Sequence, residues 1–180
     1  MRQRQAMGAK LSRAYVLLLE ACGLVAGLII GALAVLISVD IGARNLGLFN
    51  FPWLLEVSEY CLYVATFLAA PWVLYLGAHV RVDVLIEVLP RAAAYWLEVA
   101  ADCVGGGVAL VLGYYGWLAT ADAFRLGSRV AKELVVAEWY LLAVIPICAA
   151  LLAVEFGRRI ARALRAGPGS ARADRAAGAL

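Results

Sequence analysis

Long apolar stretches alternate with short polar ones along the 180 residues of the chain. Four runs contain neither a charged residue nor histidine: Ala21–Val39, Tyr60–Ala78, Cys103–Ala121 and Trp139–Val154. The first three are 19 residues each and the fourth is 16. At about 1.5 Å per residue such a 19-residue helix reaches about 29 Å, close to a hydrocarbon core of about 30 Å. The shorter fourth run gains length from Trp139 and Tyr140 at the interface, with Glu138 and Glu155 among the headgroups. Helices are preferred over strands because a helix satisfies its own backbone in lipid. The strands of a barrel would also be only about 9–11 residues long and alternate in polarity. The pattern therefore predicts an all-α membrane protein with four transmembrane helices, at 15–42, 53–78, 92–121 and 137–157. Residues 1–14 precede this domain. Residues 158–180, rich in Ala, Gly, Arg and Pro, are expected to form an unstructured basic tail.

Composition narrows the class further. Hydrophobic residues make up 65% and charged residues 16%, with a mean hydropathy of +0.87. Soluble domains average about 45–50% and about 25%. A disordered chain, a coiled coil, a secreted disulfide scaffold and an ordinary soluble enzyme are excluded. The net charge of +3 is too mild for nucleic-acid binding as a main activity.

The distribution of charge sets the orientation. Arg2, Arg4, Lys10 and Arg13 begin the chain, Arg81 and Arg91 follow the second span, and Arg158, Arg159, Arg162, Arg165, Arg172 and Arg175 end it. The other two connections hold only Arg44, Arg125, Arg129 and Lys132. The positive-inside rule then predicts both termini in the cytoplasm. A cleaved signal peptide is the competing reading of the first span, since the start is basic and Ala32-Leu33-Ala34 has an A-x-A form. The apolar run exceeds the usual h-region of about 7–15 residues, so an uncleaved helix is favoured.

Small residues and prolines mark the helix faces. Gly23, Gly27 and Gly31 recur every four residues in the first span, and Gly105, Ala109 and Gly113 repeat the spacing in the third. Such stripes let helices approach closely, either within the chain or against another subunit. Pro71 and Pro146 lie inside the second and fourth spans and are expected to bend them.

The segment after the second span has a different pattern. His79, Asp83, Glu87 and Arg91 recur every four residues, so on a helix they span about 120°. Val82, Val84, Leu85, Ile86, Val88 and Leu89 cover much of the remainder, and Pro90 limits the segment. This predicts an interfacial amphipathic helix over 79–91. It serves either as a plain connector or as a surface that grips a partner.

Catalytic and cofactor chemistry finds little support. His79 is the single histidine, so one chain cannot build a bis-His haem site. There is no H-E-x-x-H, P-loop or G-x-S-x-G motif. Cys22, Cys61, Cys103 and Cys148 form no C-x-x-C pair and read as small buried hydrophobes. The acids Glu20, Asp40, Glu56, Glu59, Glu98, Asp102, Asp122, Glu138 and Glu155 all fall near span ends, away from the depth where proton relays and solute sites lie. No cofactor, metal or enzymatic activity is expected.

The sequence resembles the small membrane subunit of tripartite ATP-independent periplasmic (TRAP) transporters over roughly residues 15–157. The resemblance rests on Gly77-x-His79-Val80-x-Val82-Asp83-Val84-Leu85, closed by Leu89-Pro90-Arg91. Arg44-Asn45 after the first span, Glu56 at the start of the second, and Trp139-Tyr140 followed by Ile145-Pro146 add to it. Ile147 stands where the family often has glycine, and Pro71 where small residues are common. The resemblance implies a non-catalytic scaffold in the bacterial inner membrane. Its partners would be a large membrane subunit that carries substrate and ion, and a periplasmic substrate-binding protein. Together they would perform ion-driven symport of an organic acid. It also implies partner-contact or structural roles for Arg44, Asn45, Glu56 and Glu59 on the outer side, for His79, Asp83, Glu87 and Arg91 on the inner side, and for Trp139 and Pro146. Two alternatives are a membrane anchor of a haem or quinone redox complex and a stand-alone small multidrug exporter using Glu20.

Overall fold

The computed structural model describes residues 2–49, 51–77, 90–131 and 135–166. Helix α1 covers Arg2–Asn45, α2 Trp53–Tyr75 and α3 Arg91–Leu126. A two-stranded antiparallel hairpin follows, β1 Arg129–Ala131 and β2 Val135–Ala137, with Arg129 opposite Ala137. Helices α4, Glu138–Leu142, and α5, Val144–Ala166, complete the described part. Four segments are long and apolar enough to cross a membrane: Ser12–Asn45, Trp53–Tyr75, Ala92–Leu126 and Glu138–Arg165. The third of these is one helix, and the last is divided between α4 and α5.

Prolines and glycines set the helix boundaries. Pro52 precedes α2, and Pro90, with an extended ψ of 145°, precedes α3. Gly127 ends α3 at a φ of 62°, and Ser128 N–H donates back to the Ala123 carbonyl at 3.1 Å. A left-handed residue at this position lets the chain leave the helix while the last carbonyls keep donors. The split at Ala143 has the same kind of local cause. Pro146 lacks the N–H that would bond to the Leu142 carbonyl, and its ring crowds that turn. The fourth span is therefore interrupted near Pro146, whereas α2 runs through Pro71 without a break.

Several boundaries differ from those predicted. Helix α1 begins at Arg2, α3 reaches Leu126, and α5 extends to Ala166. A search for charge-free runs finds the lipid-crossing core and stops at the first charge. The helical backbone continues wherever strong helix formers follow, as in Arg158-Arg159-Ile160-Ala161-Arg162-Ala163-Leu164-Arg165. The expected unstructured tail is thus helical over 158–166. Arg91 is the first residue of α3, not the last of an interfacial helix. The rest of the predicted helix over 79–91, apart from Pro90, and the tail beyond 166 lie outside the described residues. The hairpin was not anticipated; its β-branched Val130, Val135 and Val136 are its local signal.

Helix α1 packs on α2, α3 packs on α5, and α2 and α5 join the two pairs. On α1 the buried residues Leu19, Ala26, Leu33 and Asp40 recur every seven positions, with Gly23 and Ala43 beside them. This is a narrow seam, the pattern of knobs-into-holes packing. Most other large side chains on α1 and α3 point outward, among them Leu24, Leu28 and Val35, and Val104, Leu110 and Trp117. In water such a surface would drive aggregation, and in a bilayer it is the expected lipid- or partner-facing exterior.

Three glycines allow the inner contacts. A Cβ on Gly23 would overlap the Trp72 ring. One on Gly105 would lie 2.5 Å from Phe156 Cζ, and one on Gly116 2.7 Å from Ile145 Cγ2. Gly27 and Gly31 are different: nothing lies within 4 Å of a Cβ at either position. The first-span stripe therefore divides, with one glycine packed inside the chain and two facing outward.

Candidate functional site

The polar chemistry of the described residues gathers at the two ends of the bundle. At one end, the start of α1, the end of α2, the start of α3 and the end of α5 meet. Arg159 of α5 ties three of these helices together. Its Nε donates to Asp102 Oδ2 of α3 at 3.2 Å, and a terminal guanidinium nitrogen donates to the Leu74 carbonyl of α2 at 3.3 Å. That carbonyl belongs to the last turn of α2 and also accepts the Gly77 N–H at 3.0 Å, so the guanidinium takes its second lone pair. The guanidinium therefore caps one helix while pairing with another. Tyr95 of α3 adds a hydroxyl donated to the Ala163 carbonyl of α5 at 3.3 Å.

One turn away, Glu155 is fully buried. Its Oε1 accepts from Arg162 at 2.8 Å, and its Oε2 faces Arg158 Nε at 3.9 Å without a hydrogen bond among the described residues. Arg158 also reaches α1, donating to Ser12 Oγ at 3.2 Å and lying 4.6 Å above the centre of the Tyr15 ring. The Tyr15 hydroxyl donates to the Leu151 carbonyl at 3.0 Å. Contacts to Arg158 or Arg159 thus reach all three other long helices.

At the opposite end, Asp40 is buried and organises the first connection. One carboxylate oxygen accepts the Phe51 N–H at 2.9 Å, and the other pairs with Arg44, one turn along α1. The carboxylate thereby fixes the chain where it enters α2. Glu56, also buried, accepts the Tyr60 hydroxyl at 2.6 Å within α2. Asn45 ends α1 and is exposed, as is Glu59 on α2. Trp139 stacks on Tyr140 with ring centres 3.7 Å apart and meets the edge of Phe124 at 5.5 Å. Pro146 is half-buried at the start of α5, beside Gly116.

Of the residues singled out from sequence, Arg44 and Glu56 thus take part in polar contacts within their own helices. His79, Asp83 and Glu87 lie outside the described residues, and only the backbone of Arg91 is described. Tyr15, Asp40, Asp102, Glu155, Arg158, Arg159 and Arg162 were not singled out. For Glu155 and its three arginines the signal is an acid closing an apolar run, with arginines at the third, fourth and seventh positions beyond it; Tyr15, Asp40 and Asp102 carry no such pattern. Among the described residues no group of three His, Cys, Asp or Glu side chains is placed to hold a metal ion. An open groove of about 430 Å³, lined by Ala34, Val35, Ser38 and Val39, follows the outward face of α1.

Asp40→Asn should loosen the first connection without unfolding the bundle. A hydrogen bond to a charged acceptor protects its donor more than a neutral one does. Hydrogen exchange at the Phe51 amide should accelerate about tenfold. An unchanged exchange rate would show that the carboxylate does not hold this turn.

The profile of the DctQ component of tripartite ATP-independent periplasmic transporters matches residues 33–166, which is most of the chain. The chain belongs to the DctQ family. The matched region runs from the middle of α1 to the end of α5 and includes Asp40, Asp102, Glu155 and the arginines paired with them, but not Ser12 or Tyr15. Comparison with curated proteins finds none that matches. This DctQ-family chain is a small membrane subunit of a TRAP transporter, with four helices able to span a bilayer. Membership also implies the other two components, a large membrane subunit and a periplasmic binding protein.

Proposed function

We propose that the chain is the stationary member of a bacterial inner-membrane symporter, with both termini in the cytoplasm. It braces the large subunit, which moves substrate and ion, while a periplasmic protein delivers an organic acid. One observation carries this reading. The buried acids Asp40, Glu56, Asp102 and Glu155 lie toward the bundle ends, where the first and last two clamp this chain's own elements and Glu56 bonds within α2. The other buried residues are apolar apart from Ser58 and Tyr95, whose hydroxyls are given to the Leu54 and Ala163 carbonyls, so the described interior offers no wet path for a carboxylate. A bundle tied at both ends is suited to staying rigid while a neighbour moves.

Reconstitution tests the proposal. Vesicles with all three components should accumulate the organic acid when an ion gradient is applied. Vesicles with this chain alone should not. Uptake by the chain alone would overturn the assignment.

The outward-facing part of the glycine stripe, Gly27 and Gly31, is the proposed contact with the large subunit. Gly27→Leu/Gly31→Leu should leave the thermal midpoint of the isolated chain unchanged or raise it, because both positions have open space and leucine is the better helix former. The same double substitution should abolish co-purification of the large subunit, because close helix approach needs small residues. His79→Ala and Asp83→Ala should likewise weaken assembly more than substrate capture. Recovery of the large subunit at normal yield from these variants would remove the corresponding surface from the interface.

A further inference from the structure

We infer that the outward face of α5 binds an anionic phospholipid, with the headgroup phosphate held by Arg158, Arg162 and Arg165. Successive helical residues turn by about 100°, which places these three guanidinium groups within about 60° of one another. Arg162 is 64% exposed at its side chain, and Arg165 is exposed with no hydrogen-bond or ion-pair partner among the described residues. Among the described residues Glu155 is the one carboxylate paired with this stripe, so positive charge remains in excess there. Arg158 is already oriented by Ser12, by the Tyr15 ring and by Glu155. A phosphate would therefore meet a partly ordered fork rather than three free side chains.

Depth and the surface beneath favour a lipid over a free anion. The apolar run of the fourth span ends at Val154. At about 1.5 Å per residue, Arg158 and Arg162 lie about 6 Å and 12 Å beyond it, at headgroup level. On the same helical face, toward the bilayer centre, Val154 and Ile147 are exposed. An apolar strip headed by cations matches an acyl chain below a phosphate. A cluster of basic side chains just beyond the apolar run of a membrane helix attracts anionic headgroups.

The test is isothermal titration of the full-length chain in a neutral detergent. Its arms are short-chain phosphatidylglycerol, short-chain phosphatidylcholine and inorganic phosphate. Phosphatidylglycerol should bind, and the other two should bind far more weakly. Each arginine near an anionic headgroup contributes about fivefold, so Arg158→Gln/Arg162→Gln/Arg165→Gln should lower the affinity about a hundredfold. Arg44→Gln, at the opposite end, should not change it. If the triple variant fails to fold, Arg165→Gln alone should still lower the affinity about fivefold, since it disturbs no described contact. Equal binding of the two lipids, undiminished binding by Arg165→Gln, or equal binding of inorganic phosphate would overturn the assignment. So would loss of phosphatidylglycerol binding once the large subunit is bound, because the patch would then be a protein interface.

Discussion

Arg159→Ala is expected to destabilise the helix bundle by about 3 kcal/mol, because it leaves a buried carboxylate without its cation. Asp102 and Arg159 side chains are only 11% and 15% exposed, so little water can replace the lost partner. The same substitution takes one of two donors from the Leu74 carbonyl at the end of α2, leaving the Gly77 N–H. Lysine should recover part of the loss, since it restores the charge but not the planar fork that reaches both acceptors. Asp102→Leu/Arg159→Leu should come close to wild type, because replacing both charges removes the desolvation cost along with the attraction. Unfolding in mixed micelles, followed by far-ultraviolet circular dichroism, measures all three. An Arg159→Ala loss below about 1 kcal/mol would mean that the contact is incidental.

The second large effect belongs to Gly116→Leu. A Cβ at this position would sit 2.7 Å from Ile145 Cγ2, 3.2 Å from Ile145 Cβ and 3.3 Å from Pro146 Cδ. None of these atoms is the far end of a flexible side chain. Ile145 is β-branched and Pro146 is a ring, so relief requires the α3 and α5 backbones to separate. Overpacking of this kind costs about 1–3 kcal/mol. Gly107→Ala is the control, with nothing within 4 Å of its Cβ. Alanine's better helix propensity should leave it neutral or stabilising by up to about 1 kcal/mol. Equal midpoints for the two variants in the same micelle titration would show that the α3–α5 approach is looser than this geometry.

Individual residues show how far the fold and the site were legible in sequence. The four crossings were legible because lipid demands uninterrupted apolar runs, and Ala21–Val39 or Cys103–Ala121 satisfies that demand without help from tertiary contacts. The helix ends were not, because Arg158–Ala166 continues a helix through composition rather than hydropathy. Pro146 was legible as a disturbance but not as a break, since a proline bends or splits a helix according to its neighbours. Pro71 lies within an unbroken helix of the same chain. The polar clamps were hidden for a different reason. Arg159 and Asp102 are 57 residues apart, and Asp40 and Phe51 are 11 apart. Only packing reveals which of many end-lying charges meet. Gly23 and Gly27 likewise look equivalent in the stripe, yet one meets Trp72 and the other open space.

The seven-residue recurrence of Leu19, Ala26, Leu33 and Asp40 constrains how α1 tolerates insertions and deletions. One codon added between Ala26 and Leu33 would swing everything downstream by about 100°, carrying Leu33 and Asp40 off the line that meets α2. Adding a whole heptad would lengthen the rod by about 10 Å and leave its phase almost intact. Natural or designed variants of α1 should therefore change length in whole heptads, each restoring the alignment that a smaller step would lose.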